Sequence, residues 1–583
     1  MRVNRVHPRT RNSTAIVILG LGLGLIAAAT PATLSATAAT EPTASLPPRA
    51  AITNAESVPE PVAPHVTDLA IPPVPKGDRV FTASRLAAPA DVDSGHGDDE
   101  GTLVAHLRQP STTDFSMVGV TWAPGTAPTG LSVEARTLRN GTWSDWTHLH
   151  FDPEEAPSAA EDSQVRDGTA PVWSGDSTGV EVAVYSSDGS TPADLQLNAI
   201  DPGTSSYDAE LASEQTSLAA AGASDAGPKA GQFPGKPRTI SRARWGADES
   251  LGDKCFPPRY GSTFKMVFVH HTVGSNSYSE YESPAVVRGV HAYHTASRGW
   301  CDIGYNFLVD RYGNVYEGRD GGIRKSVRGA HAGDYNTNTT GISLMGNFEE
   351  AYPTRPMKHA LVQLIAWRMG SAYHGAYGRT RVAGDRFKRI AGHRDAMSTA
   401  CPGVHVYEWL PTLRERVATR LGDYESRIET TWRAKGGHRS DLGSVRIGEQ
   451  GENRGHHTTF ERGRMYGSAA GLFTLYRGPI LRKYVRSRET NNLGYPITTT
   501  RPVATGRVSA FKRGRIYRSN ATGVALLDRH PILRKYRALD GAAGRLGFPM
   551  RDAVKTRAGS KVNFQHGTIR WDSTAKRLTV EYR

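Results

Sequence analysis

Met266-Val-Phe-Val-His270-His271-Thr272 is a short apolar run, rich in β-branched residues, that ends on two histidines. A run of this length and composition has the pattern of a buried strand. Two distant pieces belong with it: Trp300-Cys-Asp-Ile-Gly-Tyr305-Asn-Phe307, and Gly392-His393-Arg-Asp395, followed eight residues after the histidine by Cys401-Pro402. Two histidines and one thiolate reaching a common point would form a three-ligand zinc site with its fourth position open to water. Spacing alone leaves the question open. A lone buried histidine is more often a hydrogen-bonded core residue, and the chain holds 20 histidines.

Outward from this stretch the pattern alternates between helix and strand. Ser283-Pro284 reads as a helix cap and first-turn proline, with Val286, Val290 and Tyr293 recurring at helical spacing up to about His294. Tyr305–Asp310 and Val315–Glu317 read as strands around the turn at Gly313, and Gly341–Gly346 as another. Pro356 opens a second helix with Leu361, Leu364, Ile365 and Ala372 as its apolar stripe, and His405–Leu421 forms a third. Interleaved strands and helices predict a mixed α/β domain over residues 237–423, a mixed sheet flanked by helices.

At 583 residues the chain is too long for one core and is expected to be multidomain. Arg2, Arg5, Arg9 and Arg11 precede an apolar run from Ala15 to Ala29, and Ala36-Thr-Ala38 offers a small-residue cleavage site. Residues 1–39 thus read as a secretory signal peptide; the apolar run is shorter than the roughly 20 residues of a spanning helix. No later segment is apolar enough to cross a bilayer. Residues 40–76 and 203–236 read as Pro/Ala-rich linkers. Between them, 77–202 carries alternating runs at Ser116–Trp122, Leu131–Thr137 and Val180–Tyr185, which predict a β-sandwich-like domain. Trp122, Trp143, Trp146 and Trp173 are either its large core residues or a carbohydrate-stacking surface.

Residues 424–583 repeat. Ile428, Ile480 and Ile532, and likewise Trp432, Tyr484 and Tyr536, recur every 52 residues. Leu442-Gly443, Leu493-Gly494 and Leu546-Gly547 follow, and then Phe460, Phe511 and Phe564, each three residues before a glycine. Four landmarks in register through three copies define a C-terminal repeat domain. The last two copies read Leu-Gly-Tyr-Pro and Leu-Gly-Phe-Pro, and the first reads Leu-Gly-Ser-Val. This region holds 32 Lys/Arg against 12 Asp/Glu, whereas the whole chain carries +14. On an exported chain, such a basic segment points to anionic wall polymers rather than nucleic acid; a solvated basic face with no partner stays open. Of three cysteines, Cys255 and Cys301 flank the strand and loop pieces. They can stay free thiols, but an oxidising compartment favours their disulfide and leaves Cys401 unpaired.

Residues 238–421 resemble the peptidoglycan recognition proteins and zinc-dependent N-acetylmuramoyl-L-alanine amidases related to a phage lysozyme. The resemblance is carried by Arg-Ala-Arg-Trp245-Gly, Val-His270-His-Thr, Tyr-His294, Gly-Trp300-x-Asp-Ile-Gly-Tyr305-Asn-Phe, Gly313-x-Val-Tyr-Glu317-Gly-Arg319, Gly-Ala-His331-Ala with Asn336, Gly-Ile-Ser-x-x-Gly346-Asn347-Phe, Gly-His393-Arg-Asp and Cys401-Pro-Gly. The C-terminal copies resemble the LGFP repeats of secreted actinobacterial enzymes.

The resemblance implies a central amidase domain with His270, His393 and Cys401 as zinc ligands and Tyr305 as the catalytic tyrosine. Thr399 stands where the phage relative has lysine, and it is a hydrogen-bond donor to the oxyanion but a poor acid. His331, Trp300, Arg319 and Asn347 are expected to line the substrate groove, with His294 structural and His271 either behind the ligands or core. The implied activity is hydrolysis of the amide between N-acetylmuramic acid and L-alanine of the peptidoglycan stem, by a secreted enzyme held at the cell wall by its repeats. The alternative is a non-catalytic peptidoglycan-binding protein using the same groove.

Overall fold

In a computed structural model, residues 60–77, 101–151, 165–211, 234–255, 257–422, 426–452, 455–487, 492–528 and 530–583 are described. The expected signal peptide, residues 40–59 of the first linker and 212–233 of the second lie outside them.

Alternation of apolar and polar residues produces the first layer pair. The strands are β1 (His65–Ala70), β2 (Thr102–Gln109), β3 (Phe115–Trp122), β4 (Ser132–Arg139), β5 (Thr142–Trp143), β6 (Thr147–His148), β7 (Asp167–Gly168), β8 (Val172–Ser177), β9 (Gly179–Ser186) and β10 (Gln196–Asp201). One sheet runs β1-β10-β3 with β7 and β8 on β3, and the other runs β2-β9-β4 with β5 and β6 on β4. Val180, Val182 and Val184 point inward from β9 and pack with Val118, Val120, Trp122 and Leu197. The sandwich is therefore as expected, but its boundaries are wider. β1 lies inside the stretch read as linker, because Val66 and Leu69 complete an antiparallel pairing with β10. The four tryptophans do not share a surface. Trp122 and Trp173 are buried, whereas Trp143 and Trp146 flank the Arg136 guanidinium at 5.2 and 4.8 Å.

The central sheet adds β11 (Met266–His271), β12 (Phe307–Val309), β13 (Val315–Glu317), β14 (Thr339–Leu344) and β17 (Ile390–Gly392), with the hairpin β15 (Arg379–Val382) and β16 (Asp385–Lys388) apart from it. Its order is β13-β12-β14-β11-β17, antiparallel only between β12 and β13. α1 (Ser283–Ala292) covers one face; α2 (Arg355–Ser371) and α3 (Val404–Leu421) cover the other, where Leu361, Leu364, Ile365 and Ile342 share a core. Ser283 is the first helical residue rather than the cap, a position taken by Glu282.

Every residue of α1 is buried, which an amphipathic surface helix would not be. The reason is the sandwich. Tyr293, just beyond α1, donates its hydroxyl to the carbonyls of Thr169 (2.7 Å) and Val120 (3.2 Å). Its ring fills the space that a side chain at Gly119 would take, a Cβ there lying 2.4 Å from Cε2. The second linker also enters this junction. Residues 206–211 form a helical turn that buries Leu211 and pairs Asp208 with the buried Arg288 at 2.7 Å.

In the repeats, α4 (Arg427–Ala434), α5 (Pro479–Arg486) and α6 (Pro531–Ala538) each accompany a four-stranded antiparallel sheet. The sheets are β18–β21 (Val445–Tyr476), β22–β25 (Arg501–Asp528) and β26–β29 (Val554–Tyr582). The landmarks have one job. The helix aromatic stacks on or tilts against the strand phenylalanine and donates a hydrogen bond to the glycine carbonyl: Trp432 to Gly443 (2.9 Å), Tyr484 to Gly494 (2.9 Å) and Tyr536 to Gly547 (2.7 Å). Val445 faces Phe460 as Pro496 faces Phe511 and Pro549 faces Phe564, so the first copy keeps the geometry without the proline. That copy docks on the central domain: Tyr373, after α2, buries its hydroxyl against Glu449 (2.7 Å) and Thr458 (2.6 Å).

Gly119→Ala is expected to destabilise the protein by about 1–3 kcal/mol, because the added methyl overpacks the Tyr293 seat. Denaturant titration of the full chain checks this; an unchanged midpoint would show that the seat is loose.

Candidate metal centre

Parallel pairing brings the candidate ligands together. Val269 lies opposite Gly392 in the β11–β17 register, so His270 and His393 leave the ends of adjacent strands side by side, their rings 4.6 Å apart. The carboxyl ends of parallel strands are where open α/β sheets place ligands. The chain then turns back within a tight loop. Ala396 N donates to His393 O and Arg394 N to Cys401 O, at 2.9 Å each, while Asp395 accepts from Gly392 N. Cys401 thereby returns its sulfur to the histidines.

His270, His393 and Cys401 are all buried, and one donor atom from each lies within 4.8 Å of the others. Cys401 carries no disulfide, and its Sγ is 3.6 Å from His270 Nδ1. Two imidazoles and a thiol at this separation match the ligand types and number of a zinc site with an open position. The residues fit the metal.

His270 is oriented from behind. Its other nitrogen, Nε2, is 3.1 Å from His331 Nδ1, the kind of partner that fixes the tautomer and ring plane of a metal-binding histidine. His331 is wholly buried, and burial pushes its pKa down to about 3. Burial likewise holds His270 well below the usual imidazole range, with His393 and His331 adding to it; both are neutral at pH 7. Two glycines make room for the His331 ring: a Cβ at either Gly329 or Gly341 would lie 2.4 Å from Cδ2. Asn336 Oδ1 holds the backbone by accepting from His331 N and Ala332 N.

Tyr305 is buried with its ring 5.6 Å from His270 and 5.8 Å from His294. Its loop is braced by Asp302, a residue that reading the motif had left without a role. The buried Asp302 carboxylate accepts from Arg242 Nη1 (3.1 Å), Ile303 N and Asp320 N, and lies 3.2 Å from His291 Nε2. Despite burial, Arg242 and His291 hold its pKa far below the usual range. The signal was present in the Trp-x-Asp-Ile-Gly-Tyr spacing, but its partner Arg242 is 60 residues away.

Three of the expected groove residues are not on a surface. Trp300 is 1% exposed and stacks on His294 at 4.3 Å; His331 is 0% exposed; Arg319 is 7% exposed and donates to Cys301 Sγ at 3.0 Å. His331 and Arg319, which the resemblance implies line the groove, are packed here against His270 and Cys301. Asn347 is half-buried, its Nδ2 donating to Glu350. Thr399 is half-buried and its Oγ1 accepts from Cys401 N at 3.0 Å. His294 accepts from Gly304 N, in keeping with a structural role, and His271 accepts from Phe348 N. Cys301 is disulfide-bonded, and the Cys255 side chain lies outside the described residues. Met397, which no motif marked, places Sδ 3.2 Å from His393 Nε2.

Residues 260–404 match the N-acetylmuramoyl-L-alanine amidase family, 73–209 a family described as Rv3811 N-terminal galactose-binding domain-like, and 493–544 the LGFP repeat. Peptidoglycan-recognition protein SC1a/b of Drosophila simulans is 35% identical over 168 residues, 29% of this chain and 81% of that protein. Peptidoglycan recognition protein 1 of Bos taurus is 34% identical over 170 residues, 29% of this chain and 80% of that protein. The chain belongs to the peptidoglycan-recognition protein and N-acetylmuramoyl-L-alanine amidase family. Among solved structures, Drosophila PGRP-LB is similar at 27% identity, covering 32% of this chain and 96% of that one, with a TM-score of 0.25. The family match spans the three donors and the His331 support, and the other two matches fall on the sandwich and the repeats.

His331→Ala is expected to weaken zinc binding about 10- to 100-fold, because His270 loses the partner that orients it. Competition with a chromogenic chelator measures this; unchanged affinity would show that the His270–His331 contact has no bearing on the metal.

Proposed function

We propose that the protein is a secreted, zinc-dependent N-acetylmuramoyl-L-alanine amidase, acting on peptidoglycan and held at the cell wall by its C-terminal repeats. The observation that carries the reading is the convergence of His270, His393 and Cys401 within 4.8 Å, with Tyr305 beside them. Family membership supplies the substrate class, and the intact donor set favours catalysis over binding alone.

Bound zinc would polarise the scissile carbonyl and bring the pKa of a water toward about 7. With its proton held on Nε2 toward His331, His270 presents the Nδ1 lone pair on the Cys401 side. Tyr305 donates a hydrogen bond to the attacking water or to the developing oxyanion. Thr399, whose Oγ1 accepts from Cys401 N, is assigned to the same oxygen. Hydrolysis places the water oxygen on the lactyl carbon and a proton on the L-alanine nitrogen, giving an acid and a free amine. Asn347, the half-exposed member of the expected groove set, is assigned to the substrate rim. Among the described residues no helix is long and apolar enough to cross a membrane. Residues 424–583, with 32 Lys/Arg against 12 Asp/Glu, are assigned to anionic wall polymers.

Cys401→Ser is expected to abolish release of the stem peptide from purified muropeptide while leaving muropeptide binding intact, and Tyr305→Phe to slow release about 100-fold. Zinc content, hydrolysis and binding measured on the same preparations check both. Full zinc loading with binding and no cleavage by the unaltered protein would mark it as a recognition protein instead.

Cosedimentation of the full chain with purified walls is expected to weaken as salt is raised from about 0.05 to 0.5 M, as exposed charges are screened. It should also fall on walls stripped of anionic polymer. Binding indifferent to both would reject the electrostatic attachment.

A further inference from the structure

On the opposite face of the central sheet from the metal centre lies a small pocket, with room for about one water-sized sphere, lined by Asn306, Phe307, Arg319, Lys325, Thr340 and Arg368 among others. The two faces are distinguished by β14. Gly341 packs against the His331 ring, whereas Ile342 belongs to the core under α2 and α3, as does Phe307 from β12. The pocket therefore does not share the metal site.

Three of its lining residues are cations, and none is a carboxylate. Arg319 lies near Asp302, which lowers the cost of its burial, and Lys325 sits at the surface with Nζ 3.1 Å from the Tyr260 hydroxyl. Arg368 differs from both. It projects from α2 into the interior, is 2% exposed, and lies over the Phe264 ring at 4.6 Å. Its Nη2 donates to two neutral oxygens, Lys325 O and Thr340 Oγ1, at 3.2 Å each, and its buried Nε has no hydrogen-bond partner. The charge that reaches it is another cation, Arg324, which together with burial depresses the guanidinium pKa to about 10.

An ionised guanidinium is costly to bury without an anion, and a planar donor group suits small anions. We propose that this pocket is a binding site for one small inorganic anion, a halide, seated against Arg368. The anion neutralises the buried guanidinium and ties α2 to the segment 319–327 that follows β13. A buried, unpartnered donor and a cavity free of carboxylates are the two observations behind it.

The test is thermal unfolding of the full chain in sodium chloride or bromide against sodium gluconate, at one ionic strength. The midpoint should rise with small-anion concentration and saturate, and should not rise in gluconate, whose anion is too large to enter. Arg368→Met should lose that anion-dependent shift, and Lys325→Ala, at the surface, should raise the half-saturating concentration several-fold. Should Arg368→Met fail to fold, crystals of the unaltered protein soaked in bromide should show an anomalous peak within hydrogen-bonding distance of Arg368. No saturable shift in the unaltered protein, a shift retained in Arg368→Met, or bromide peaks only elsewhere would each overturn the proposal.

Discussion

The parallel register of β11 with β17 is the constraint on which the site depends. Because Val269 faces Gly392, the next residue on each chain segment is a histidine, and both emerge at the same end of the sheet. Side chains in a strand alternate between faces, so a slip by one residue would send His270 to the α2–α3 side and bring His271 to the front. His271 shows what that other side offers: it is buried and accepts from Phe348 N, remote in role from the donor set. The loop 394–401 then has only to fold back on itself, and its backbone hydrogen bonds are local.

Around that register, small residues decide how closely supports can approach. Gly329 and Gly341 admit the His331 ring, and Gly119 admits Tyr293 from the neighbouring layer. In each case the packing fixes a polar atom: His331 Nδ1 against His270, and the Tyr293 hydroxyl against two sandwich carbonyls. Close-packed interiors transmit such constraints because they have few alternative arrangements. The sandwich is thus part of the structural support of α1, whose ten residues it helps to bury. At the other end, the first repeat is anchored by Tyr373, so the copy whose motif is most altered is also the one that packs on the central domain. The two later copies retain the proline opposite phenylalanine.

The fold classes were legible because they rest on short-range pattern: alternation in β3, β4 and β9 and helical spacing in α2; spacing alone left the donor set at His270, His393 and Cys401 open, and the family resemblance pointed to it. The 52-residue recurrence likewise marked the repeats without revealing that the recurring aromatic donates to the recurring glycine carbonyl. Linker boundaries were misplaced because residues 65–70 and 206–211 are compositionally like linkers; the strand partner of one and the Arg288 partner of the other come from far along the chain.

What the sequence by itself determined was chemistry: which side chains can hold a divalent metal, which segments are apolar enough to be strands, and where positive charge accumulates. What only the tertiary structure decided was role. Trp300, Arg319 and His331, expected along the substrate groove, are buried against His294, Cys301 and His270 respectively. In sequence Arg368 is one arginine of a helix; its fold sets it among two neutral oxygens and no carboxylate. The physical reason is the same throughout. A residue's chemistry is written locally, but its exposure and its partners depend on segments tens to hundreds of residues away, which only folding brings into contact.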